Sequence, residues 1–99
     1  MRVRVIVVPW LFGFAGMTAW SLILVKRGFE RNTTLMAHEL VHVDQFRAWP
    51  VTFPVRYVIA WVRAGFSYTD NEFEREARAL QSDPDYRRRA NELIVRRFG

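Results

Sequence analysis

Residues 5–25 run for 21 positions without a charged side chain, with Arg2 and Arg4 before them and Lys26 and Arg27 after. Length and flanks suit a membrane-spanning helix. They equally suit two apolar strands joined by a turn. Pro9, Gly13 and Gly16 interrupt the run where a turn would fall, and each weakens a continuous helix. Val3, Val5, Ile6, Val7 and Val8, and later Ile23 and Val25, are β-branched and favour strands. The strand reading is preferred: a first strand from Arg2 to Val8, a loop over 9–16, and a second strand from Met17 to Lys26. That second strand is apolar enough to be buried on both faces. The alternative is membrane association through residues 5–25. No small-residue cleavage site follows the run, so no secretory signal is expected and a cytoplasmic location is favoured.

Beyond residue 26 the pattern turns helical. Gly28 to Asn32 is a polar turn. A first helix is expected to begin with Thr33 or Thr34 as its N-cap and to stop at Trp49, because the residue before Pro50 is pushed out of the helical region. A second helix runs from about Pro54 to Gly65 and is expected to be mostly buried. A third follows Asn71 and runs to about Gln81, with Asn71 and Glu74 spaced as an N-cap and N3 pair. Asp83-Pro84 opens a fourth, with Tyr86, Ala90, Leu93 and Ile94 on one side and arginines on the other. Trp49, Phe53, Tyr57 and Trp61 are expected to serve the core, with the wall of a substrate cleft as the alternative. The whole of 1–99 reads as one domain of α+β class, a small N-terminal sheet packed on about four helices.

A chain of 99 residues buries a smaller fraction of its surface than a larger one, so a bound metal or a homo-oligomer contact would add stability. There is no cysteine, which excludes a disulfide framework and a thiolate metal site. The net charge of +5 is carried almost wholly by arginine, and Arg87, Arg88, Arg89, Arg96 and Arg97 crowd the C-terminus. Such a balance permits nucleic acid or an anionic surface as a partner of the C-terminal helix, although a solvated helix face is the plainer explanation.

The first helix carries both histidines of the chain, in His38-Glu39-Leu40-Val41-His42. Residues i and i+4 lie one turn apart on one helix face, so two imidazoles can grip one Zn²⁺ while Glu39 between them works on a water. A hydrolytic zinc site takes three protein ligands and leaves a fourth position open. With no third histidine and no cysteine, the third ligand has to be a carboxylate. Candidates cluster in Asn71-Glu72-Phe73-Glu74-Arg75-Glu76-Ala77-Arg78. Glu74 could instead close a capping box, and Glu72 could simply be a favourable first-turn charge.

The segment from residue 17 to residue 80 resembles the glutamate-ligand zinc peptidases, the gluzincins, and in particular their very short minigluzincin-like members. An apolar strand runs directly into His-Glu-Leu-Val-His-Val-Asp-Gln. An aromatic helix begins with Pro54-Val55-Arg56-Tyr57. Tyr68-Thr69-Asp70-Asn71-Glu72-Phe73-Glu74-Arg75-Glu76-Ala77 follows. The resemblance implies a zincin-like fold with one zinc per chain between the first and third helices. It also implies ligands His38, His42 and Glu74, with Glu74 favoured because Glu74-Arg75-Glu76-Ala77 fits the family's Glu-x-x-Ala setting. Glu72 and Glu76 remain alternatives. Glu39 would be the general base of peptide hydrolysis. Larger members stabilise the oxyanion with His or Tyr, which makes Tyr57 and Tyr68 the candidates here. Met17 to Lys26 resembles the edge strand that pairs with substrate backbone. One departure is clear: Arg78 stands where the family often has an Asp supporting a zinc histidine, leaving Asp44, Asp70 or Glu76 to substitute.

Three functions follow as expectations. The leading one is a zinc metallopeptidase acting on peptides or proteins. The second is a zinc-site protein with a scaffolding or latent role. The third is a basic nucleic-acid or membrane-surface binder.

Overall fold

The computed structural model describes residues 3–99; Arg2, at the expected start of the first strand, lies outside them. The architecture is α+β. Three strands, β1 (Arg4–Val8), β2 (Gly16–Ala19) and β3 (Leu22–Lys26), are followed by four helices. These are α1 (Thr33–Ala48), α2 (Phe53–Arg63), α3 (Glu72–Leu80) and α4 (Pro84–Phe98). β3 is central in the sheet, parallel to β1 and antiparallel to β2.

The apolar run is therefore three strands, and no helix among the described residues is long and apolar enough to cross a membrane. The strand expected over Met17 to Lys26 is broken at Trp20-Ser21, and Ala19 pairs with Leu22 across a two-residue turn. Trp20 takes a positive φ of 54°, which an L-residue adopts only when held there. Its indole Nε1 donates to Pro50 O at 2.6 Å, and its ring lies 5.2 Å from that of Phe46. Tertiary contacts thus make a turn that lacks the usual Asn or Gly.

β3 also departs from the expected burial on both faces. Ile23 and Val25 are buried, whereas Leu22, Leu24 and Lys26 are half-exposed. Only one face of the sheet is covered, and side chains alternate across it. The covered face joins Val5, Ile23 and Val25 to Met36, Leu40 and Val43 of α1 and to Ala90, Leu93 and Ile94 of α4.

α1 lies at the centre and packs on β2, α3 and α4. Its N-cap is Asn32, whose side chain accepts from Leu35 N at 3.0 Å, and neither Thr33 nor Thr34 caps it. Asp44 on α1 receives Arg89 and Tyr86 of α4, at 2.9 and 2.7 Å. α2 does not fulfil its expected burial. Only Phe53 and Ala60 are buried, and Val55, Val58, Ile59 and Val62 face outward because no further layer of the chain covers them. The basic C-terminus is largely occupied at home: Arg87 bonds Thr34, Arg88 pairs with Asp85 and Glu92, Arg89 holds Asp44, and Arg97 bonds Val5 O.

Two measurements follow. Trp20→Ala removes the bond to Pro50 and the ring contact, and is expected to lower unfolding free energy by about 1–2 kcal/mol in a denaturant titration. Burial raises the Asp44 carboxyl, but Arg89, Tyr86 and Arg47 more than offset this and hold its pKa below the ordinary aspartate value. A depressed pKa stabilises above the unfolded-state value, and that contribution is lost as pH falls through the folded-state value. The stability difference between wild type and Asp44→Asn should therefore be full at neutral pH and vanish in strong acid.

Candidate metal centre

The first helix brings His38, Glu39 and His42 to one side because their spacing follows the helical turn. α3 meets that side. Asn71, fully buried, caps α3 by accepting from Phe73 N at 2.9 Å and ties it to α2 by donating to Tyr57 O at 3.2 Å. Asn71 caps without Glu74, so the capping-box alternative falls away. The Glu74 carboxylate instead turns inward. Its Oε1 lies 3.0 Å from His38 Nε2 and 3.1 Å from His42 Nε2, and its Oε2 accepts from Tyr57 OH at 2.7 Å.

These three residues offer one ligand atom each, all within 4.8 Å of one another, so the group could hold a metal ion. Tetrahedral zinc with bonds near 2.0–2.1 Å spaces its ligand atoms by roughly 3.3–3.4 Å, a close match to the contacts on Glu74. Glu72 and Glu76 are both exposed. Glu76 accepts from Gln45 and does not join the group.

Protonation supports the same conclusion. Gln45 Nε2 donates to Phe73 O at 3.1 Å and Glu76 Oε1 at 2.9 Å, which leaves Gln45 Oε1 facing His42 Nδ1 at 2.8 Å. His42 Nδ1 must then carry a proton and donate it. Gln81 Oε1 takes the same role for His38 Nδ1 at 2.9 Å. Neutral imidazoles held so present bare Nε2 lone pairs to a carboxylate. Acceptors facing acceptors repel unless a proton or a cation stands among them. Burial alone would lower the pKa of His42, but Glu74 outweighs it and raises it. Burial would likewise raise the pKa of Glu74, yet the two histidines and Tyr57 pull it far down. The donor set of two imidazole nitrogens and one carboxylate oxygen suits zinc and other divalent ions of similar preference.

None of the three expected supporting acids touches a histidine Nδ1. Asp44 faces α4, Asp70 bonds Ser67 through its backbone, and Glu76 acts one step removed through Gln45. The supports are Gln45 and Gln81, which the sequence reading did not assign. Their signal was spacing: Gln45 lies three residues after His42, and Gln81 lies seven after Glu74. Arg78 bonds Thr69 O instead of standing at the site.

A cavity of about 450 Å³ opens on the centre. Glu39, His42 and Glu74 stand in its wall, with Gly16, Met17 and Thr18 of β2 beside Glu39. Phe46, Phe53, Tyr57, Trp61 and Tyr68 supply apolar lining, so Phe53 is both buried in the core and part of this wall, and Tyr57 and Trp61 wall the space. Glu39 is only 3% exposed, and burial raises its pKa while the two histidines partly restrain the shift. Thr18 Oγ1 approaches Glu39 Oε1 at 3.3 Å. Burial and the charge of Glu74 raise the hydroxyl pKa values of Tyr57 and Tyr68, keeping both as donors. Gly16 makes a close approach: a Cβ there would lie 3.2 Å from Leu35 Cδ1 and 3.3 Å from Glu39 Cγ, so those side chains would have to give by a few tenths of an ångström.

No protein family model, curated protein or solved structure matches this chain.

Metal analysis of the purified protein should find about one divalent ion per chain, lost in His42→Ala and in Glu74→Ala. Gln45→Ala leaves His42 free to rotate, and is expected to weaken affinity roughly 10–100-fold in a chelator competition. Because protons compete for the raised His42, affinity should fall as pH is lowered.

Proposed function

We propose that the chain is a minimal zinc-dependent metallopeptidase of the gluzincin-like kind, with a zincin-like arrangement of sheet and helices. The observation that carries this reading is the placement of Glu39. A metal site built for structure alone needs no carboxylate between its histidines, and none opening on a cavity large enough for a side chain. His38, His42 and Glu74 would hold the ion. When bound, zinc makes a water acidic and polarises a carbonyl.

The chain's own groups supply the rest. Glu39, with its pKa raised by burial, takes a proton from the attacking water and passes it to the leaving amine. Two phenol hydroxyls, of Tyr57 and Tyr68, line the cavity. Tyr57 donates to Glu74 Oε2 and the Tyr68 hydroxyl also interacts with Glu74, so both phenols stand beside the centre as donors to the oxyanion. β2 pairs only with β3, so its other edge offers backbone groups to an extended peptide. The aromatic wall favours a bulky apolar side chain beside the scissile bond.

A scaffolding site without hydrolysis is the rival. The two separate on Glu39→Gln, which should keep its metal and lose roughly 10²–10⁴-fold in cleavage rate on fluorogenic peptides bearing large apolar residues. Metal-loaded wild type that cleaves no faster than Glu39→Gln would sink the peptidase reading in favour of the scaffold.

A further inference from the structure

α2 is apolar on two opposite faces. Phe53, Tyr57 and Ala60 turn inward. Half a turn away Val55, Ile59 and Val62 point to solvent, with Val55 61% exposed. A contiguous exposed apolar face of this kind is normally covered by protein or lipid. The patch does not stop at α2. Val58 and Trp61 carry it to the cavity mouth, where Phe14, Met17 and Tyr68 continue it. The Phe14 and Tyr68 rings lie 5.6 Å apart, and Phe66 stands 4.9 Å from Trp61.

Charge narrows what covers this surface. Among the described residues, every exposed large hydrophobic except Val95 falls within segments 3–29 and 45–69. Neither segment contains a single Asp or Glu. Both contain basic residues, and Arg56 and Arg63, seven residues apart, share one exposed flank of α2. A second copy docked face to face would set these arginines against their own images with no acid to pair. An anionic bilayer surface satisfies both halves of the pattern: headgroups receive the arginines, and the acyl boundary receives the valines and aromatics. Trp and Tyr are the side chains suited to that boundary.

We infer that the apolar, arginine-flanked face formed by α2 and the cavity rim docks on an anionic lipid surface, lying on it without crossing it. This docking turns the cavity mouth toward the bilayer.

The test is flotation with vesicles of phosphatidylcholine alone and of phosphatidylcholine mixed equally with phosphatidylglycerol, with tryptophan fluorescence read in parallel. Wild type should float with the mixed vesicles and shift its emission to the blue, and should bind neutral vesicles weakly. Arg56→Glu with Arg63→Glu should lose at least about tenfold in partitioning. Val55→Asp with Val62→Asp should abolish it. These side chains are exposed, so circular dichroism should show both double variants folded. No association of the folded wild type with the mixed vesicles, or equal association with neutral ones, overturns the inference. A concentration-dependent dimer lost in Val55→Asp with Val62→Asp also overturns it, and assigns the face to a second copy. The readout needs neither bound metal nor hydrolysis, so it stands or falls apart from the peptidase reading.

Discussion

Two imidazole nitrogens and a carboxylate converge on one small space, each offering a lone pair and none offering a proton. Left alone, such an arrangement is unfavourable, and much of the chain serves to hold it. Gln45 and Gln81 fix the ring orientations, Tyr57 holds one carboxylate oxygen, and Asn71 sets the start of the helix that carries Glu74. The buried amide of Gln45 has a further use. It bonds to α3 at both Phe73 and Glu76, so the residue that orients a histidine also fastens the two helices together. Positive charge among the three ligand atoms would thus stabilise the helix pairing as well as the site.

Much of this was legible in the sequence because it is local. The helical spacing of His38, Glu39 and His42 follows from the turn of a helix, and the stops at Trp49 and the start at Asp83 follow from proline. What was not legible depends on contacts between distant residues. The turn at Trp20 carries no turn signal and exists because Pro50 and Phe46 hold the indole. Choosing among Glu72, Glu74 and Glu76 required the side-chain direction, and two-residue spacing on a helix sends neighbours to opposite faces. Glutamine was passed over as a support because acids are the more familiar partners of histidine. The exposure of α2 was missed for another reason: its composition is that of a core helix, and the number of layers available to cover it is a property of the whole chain.

The small size of the chain shows in how its parts are shared. β2 forms one wall of the cavity and one edge of the sheet. α2 supplies Tyr57 to the site, Phe53 to the cavity wall and a bare apolar face to the outside. In larger proteins these tasks fall to separate elements. Here the helix that closes the cavity is also the one with least of the chain above it. Access to the site and attachment at the surface are therefore properties of the same eleven residues.

α4 contributes no atom to the metal centre, yet it has hold of it. Asp44 stands two residues after His42, and Arg89 and Tyr86 grip it from the far side of α1. That grip helps to set the rotation of α1 about its own axis, together with the packing of α1 on β2 and α3. With side-chain tips about 5–6 Å from the axis, a rotation of about 10° sweeps them by roughly 1 Å, about half the length of a metal–ligand bond. The C-terminal helix would thereby set the angle at which the two histidines meet Glu74, although it stands on the far side of α1 from the cavity.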